Sequence, residues 1–133
     1  MKILNLNLKR KWFDMILSGE KKEEYREVKD YWARRLLDIL DPCGMEPGVL
    51  DEMVGDLCHP FNRHSHVTEL LNHFGAEFTT LDAIRFKNGY AKNAPEFLIE
   101  CKGVDVKNGN ETWGADKGAF YFTLKLGKIL ERN

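Results

Sequence analysis

Gly19-Glu20-Lys21-Lys22-Glu23-Glu24-Tyr25-Arg26 joins an amphipathic segment to a run that alternates like a strand but carries more charge than a core accepts. In an extended backbone successive side chains point to opposite faces, so Lys22, Glu24 and Arg26 share one face while Glu23, Tyr25 and Glu27 share the other. A strand lined by ammonium, carboxylate and guanidinium groups is either a solvated sheet edge or the wall of a polar cleft in which a carboxylate sits among cations. The same alternation puts Lys21 on the face opposite Glu24 and Arg26. It joins them only if the chain turns where helix hands over to strand, a turn that Gly19 permits.

Upstream, Trp12, Phe13, Ile16 and Leu17 fall at helical spacing within residues 9–17, and Ser18-Gly19 supplies a C-terminal stop. Lys9, Arg10 and Lys11 open this helix, where positive charge opposes the helix dipole. Helix stability therefore does not account for them, and they are either solvated or turned to an anionic partner. Before the helix, Leu4, Leu6 and Leu8 alternate with Asn5 and Asn7, the pattern of a strand with one core face over residues 3–8.

Downstream, Asp30 is placed to cap a helix whose Trp32, Leu36, Ile39 and Leu40 recur at i, i+4, i+7 and i+8, ending at Asp41-Pro42. That periodicity favours the core over a ligand platform for Trp32. Residues 38–81 then change character: all four histidines and two of the three cysteines lie here, and apolar spacing suggests short helices over 49–57 and 67–74. This is an acidic, mainly helical insertion beside a sheet-rich domain. The last third is strand-like at 83–87, 97–106 and 119–126, with turn signals at Asn88-Gly89 and Asn108-Gly109. Trp113-Gly114 falls in a turn-rich segment, where an aromatic is as much a cleft residue as a core one.

At 133 residues the chain makes one domain, residues 1–133, with a sizeable core. Its 43% hydrophobic and 31% charged residues are ordinary globular values and favour neither disorder nor a coiled coil. No stretch approaches the roughly 20 apolar residues of a membrane span, so no membrane role is expected. Residues 1–8 lack the apolar run of a secretory signal, and three widely spaced cysteines fit a reducing compartment. A cytoplasmic protein is the expectation.

The net charge of −1 conceals a division along the chain. Residues 1–35 hold ten Lys or Arg against six Asp or Glu; residues 36–82 hold one against nine; residues 83–133 hold nine against six. Folded together, the two basic ends would present a positive surface that the acidic middle cancels in the total. His66, Glu69 and His73 share the polar face of one expected helix, with Cys58-His59 upstream, but no CxxC or HExxH spacing accompanies them. Neither a metal nor a cofactor is called for.

Gly19, Lys21, Glu24 and Arg26, spaced as Gly-x-Lys-x-x-Glu-x-Arg after a short helix, resemble the signature of the ASCH domain, a member of the PUA-like superfamily. Arg85-Phe86-Lys87-Asn88-Gly89-Tyr90, and the run from Trp113-Gly114 to Leu126-Gly127, are similar to the C-terminal strands of that family. The resemblance covers residues 1–37 and 82–130 and leaves the insertion without a counterpart. It implies an α+β fold: a PUA-like β-barrel of five or six mostly antiparallel strands, with outer helices, and with the signature residues facing a ligand cleft.

Family members are associated with RNA binding, so the resemblance implies RNA or a nucleoside or nucleotide as partner. Lys9, Lys21, Glu24, Arg26, Tyr90 and Trp113 are the candidate ligand-binding residues: cations for phosphate, a carboxylate for a base or sugar donor, aromatics for stacking. A subset of the family hydrolyses acetylated cytidine with a Lys and a Thr three residues later. Lys21 matches the Lys, but Glu24 stands in place of the Thr, so that nucleophile is missing. Other relatives cleave RNA, a role in which Lys21 and Glu24 would be the catalytic proton donor and acceptor. Enzymatic activity on a modified nucleoside or RNA is thus the alternative. A third possibility is an interaction module that meets a protein partner, or itself, through residues 44–77.

Overall fold

The computed structural model describes residues 1–39 and 76–132. Its chain order is β1 (Ile3–Asn7), α1 (Arg10–Leu17), β2 (Glu23–Glu27), α2 (Asp30–Leu36), β3 (Leu37–Ile39), β4 (Ala76–Phe78), β5 (Ala83–Lys87), β6 (Glu96–Asn108) and β7 (Phe120–Arg132), with a 3₁₀ turn at Glu111–Trp113. Five strands form one mixed sheet in the order β1-β5-β6-β7-β2, and β3 pairs with β4 apart from it. The β1–β5 pair is parallel and the other three pairs are antiparallel. The sheet curls into a half-barrel with two helices, an α+β architecture.

The core fills the concave side. Leu6 of β1, Ile84 and Phe86 of β5, Phe97 and Ile99 of β6, and Phe122 and Leu124 of β7 are buried there with Phe13 and Ile16 of α1 and Ala33 and Leu36 of α2. The leucine alternation of the first strand does face the core, as its spacing predicts. Phe13 packs edge-on against Phe97 at 4.8 Å between ring centroids, which seats α1 on the sheet.

The register of β2 determines where its charges go. Glu24 lies opposite Leu124 and Arg26 opposite Phe122, and residues directly paired across an antiparallel ladder share a face. Glu24 and Arg26 therefore point to the core side of the sheet, at one end of the strand order. Strands β1 and β2 are the two ends of that order and are not hydrogen-bonded to each other. A polar opening replaces a sixth ladder at this seam.

Three expectations need correction. The helix from Asp30 does not run to Leu40: it ends at Leu36, because Leu37 turns extended (φ −122°, ψ 133°) and pairs with Phe78. Its N-cap is Lys29, and no side chain caps it. The described ends of the insertion are thus strands, and the expected helices at 49–57 and 67–74, the histidines, and the association surface at 44–77 lie outside the described residues save for its last two positions. Asn88-Gly89 opens an irregular connection over residues 88–95 and not a two-residue hairpin.

Strands β6 and β7 both run past their expected ends, to Asn108 and Arg132. No helix among the described residues is long and apolar enough to cross a membrane.

Candidate functional site

A cleft of about 480 Å³ opens at the seam between β1 and β2, lined by residues of β1, α1, β2, α2 and the β6–β7 connection. Lys21 reaches it from the α1–β2 connector. Gly19 takes a positive φ of 85°, and the Lys21 N–H donates to Met15 O at 2.9 Å. Because Lys21 precedes the strand, strict alternation does not apply to it, and its ammonium meets Glu24 Oε1 at 2.8 Å. Lys21 and Glu24 are 3% and 4% exposed, so this is a buried ion pair.

Glu24 is held on every side. Its Oε1 also accepts the Tyr25 N–H at 3.0 Å, and its Oε2 accepts Arg26 Nη2 at 3.1 Å. Three of a carboxylate's roughly four acceptor positions are therefore spoken for. Glu24 orients two cations. Arg26 in turn donates Nη2 to Asn7 O of β1 at 3.4 Å, bridging the two ends of the sheet, while its guanidinium lies 5.2 Å from the Trp32 ring. Its Nε–H is buried and has no acceptor among the described residues.

The aromatic walls are as notable as the charges. Trp12, Trp32 and Trp113, all half-buried, are the three tryptophans of the chain, and every one lines the cleft. Trp12 holds the Lys21 ammonium 4.6 Å from its ring, a cation–π contact in a desolvated setting. Gly114 lets the indole of Trp12 come close: a Cβ there would sit 3.0 Å from Trp12 Cζ2, and its φ of 101° is one that side chains rarely adopt. Tyr25 also lines the cleft, but its hydroxyl is engaged elsewhere, donating to Glu23 Oε1 at 2.8 Å and accepting the Asn110 N–H at 2.9 Å. Burial pushes that phenol up to about 12, with the Asn110 hydrogen bond opposing and Glu23 adding to the rise. It stays a neutral structural donor.

Of the six ligand-binding candidates, Lys9, Lys21, Glu24, Arg26 and Trp113 converge on the cleft. Tyr90 does not: it is 91% exposed in the β5–β6 connection. Lys9 is exposed at the N-cap of α1, so the basic start of this helix borders the opening. Sequence reasoning missed Trp12, Lys29 and Tyr121, and favoured the core over a ligand platform for Trp32. Trp12 and Trp32 do pack against the core, and each turns its remaining surface to the cleft. The proximity of both to the charged strand was the available signal.

The described lining contains no Ser, Thr or Cys. Among the described residues no three His, Cys, Asp or Glu are grouped to hold a metal ion. No protein-family model, curated protein or solved structure matches the chain.

Proposed function

We propose that this chain is a PUA-like domain of the ASCH type that binds a nucleotide, free or within RNA, with the base in the cleft at the β1–β2 seam. The observation that carries the reading is the convergence of all three tryptophans on one cleft whose floor is the Lys21–Glu24–Arg26 network. A nucleotide is flat, polar at its edge and anionic at its phosphate. Indole faces stack on the base, and Lys9 and Lys29 at the rim meet the charge. The volume, about 480 Å³, lies within the roughly 300–1,000 Å³ of small-molecule sites.

Hydrolysis of a modified nucleoside or RNA has less in its favour. Glu24 spends its oxygens on two cations and a backbone N–H, which suits an anchor better than a base that must take up a proton. The described lining also offers no hydroxyl or thiol nucleophile other than tyrosine.

Titration of the intrinsic tryptophan fluorescence with the four ribonucleoside monophosphates tests the proposal. Saturable quenching by at least one is expected. Trp113→Ala should weaken that nucleotide by about 1–3 kcal/mol, the usual worth of one base stack. Unchanged fluorescence across the panel, or full affinity in Trp113→Ala, would count against it.

A further inference from the structure

A second groove, open and of about 630 Å³, lies on the other side of β2 and shares Trp113 with the cleft. Four lysines line it: Lys22, Lys102, Lys107 and Lys125. Glu23, the one carboxylate among the described lining residues, is already matched, since Lys107 Nζ lies 2.6 Å from Glu23 Oε2. Lys22, Lys102 and Lys125 are exposed and make no ion pair among the described residues.

The backbone sets these three in a row. Lys125 of β7 pairs with Glu23 of β2 on one side and Gly103 of β6 on the other. The carbonyl of Lys22 accepts the Leu126 N–H at 3.0 Å, which holds Lys22 alongside β7. On β6 the ladder steps from Cys101↔Leu126 to Gly103↔Lys125, so Lys102 is the extra residue of a bulge. Bulges re-aim side chains, and this one brings Lys102 to the Lys125 side. Adjacent strands are about 4.8 Å apart, so lysines on neighbouring strands line one groove. Glu23, the one carboxylate of the described lining, lies across from Lys125 and is held by Lys107, so the groove keeps an excess of ammonium groups that suits an anionic occupant.

We infer that this groove carries the phosphodiester backbone of a single strand of RNA whose base occupies the cleft, with Trp113 between the two. The inference rests on the nucleotide reading of the cleft and makes its substrate a polynucleotide. Three ammonium groups without an ion pair among the described residues would meet phosphates along the strand, and a duplex would present no free base to the tryptophans.

The test compares the monophosphates of A, C and U with the matching octaribonucleotides, at two salt concentrations, in the wild type and in a Lys102→Glu, Lys125→Glu double variant. Both positions are exposed, and an unchanged thermal transition verifies the fold. The octamer of the preferred base should bind about tenfold or more tighter than its monophosphate at low salt, with a log–log salt slope steeper by roughly 0.7 for each phosphate gained. The double variant should lose that advantage and the extra slope while holding the monophosphate within about twofold of wild type. Monophosphate binding with octamers no tighter, or octamer affinity untouched in the double variant, overturns the groove assignment and leaves the cleft reading standing. If none of the four ribonucleoside monophosphates binds the wild type, the cleft reading falls and the groove assignment with it.

Discussion

Glu24 is the residue on which the cleft depends. It is buried beside Lys21 and also holds Arg26, so it keeps two cations in place where solvent cannot. Removing one member of a buried pair leaves the other charge uncompensated, which costs about 3–5 kcal/mol. Glu24→Ala should therefore lower unfolding stability by about that amount in a denaturant titration, whereas a substitution at an exposed surface position changes it by less than about 0.5 kcal/mol. A loss below about 1 kcal/mol would mean that the pair is not buried as described. The motif residues themselves were legible as a set. Their geometry was less so, because alternation describes only residues within a strand, and Lys21 acts from the connector before it.

The connections place the aromatics more than the regular elements do. Trp113-Gly114 follows the 3₁₀ turn at Glu111–Trp113, and Gly114 sits against Trp12 in a left-handed conformation. Gly114→Ala adds a Cβ at 3.0 Å from the indole and forces a side chain into that conformation. It should cost about 1–2 kcal/mol from the backbone alone and shift the tryptophan emission as Trp12 moves off Lys21. An unaltered melting temperature and spectrum would contradict the described contact.

Helix α1 and strands β1 and β5 follow from apolar periodicity, since their patterned faces do meet the core. Three features escape such reasoning. Leu37 leaves the helix for a pairing with Phe78, which lies far along the chain. Beyond Val106 strand β6 adds only Lys107 and Asn108, and beyond Leu126 strand β7 is largely exposed, Ile129 and Leu130 included, so ladder hydrogen bonds hold these ends more than burial does. The lysine row depends on a bulge, and a bulge shifts register without leaving a sign in the spacing.

Taken whole, the fold brings the two basic ends of the chain together, as β2 pairs with β7 and Lys22 comes alongside Leu126. The near-zero net charge says nothing about this, because the middle of the sequence has nine acidic residues against one basic and cancels the excess of the ends. The half-barrel leaves its seam between β1 and β2, and the charged strand borders both the tryptophan cleft and the lysine groove. The opening stretch of sequence therefore has two faces, each bordering one of these concavities. One carries Glu24 and Arg26 inward, and the other carries Glu23 outward toward Lys107.

Amide and indole N–H resonances followed by NMR during a monophosphate titration would test the cleft assignment most directly. The three tryptophans give three indole signals, all at the cleft. The account predicts that all three shift saturably with one dissociation constant, together with the backbone amides of Lys9, Arg26 and Gly114. Perturbations centred away from the β1–β2 seam, or indole signals that stay fixed while a nucleotide binds, would contradict it.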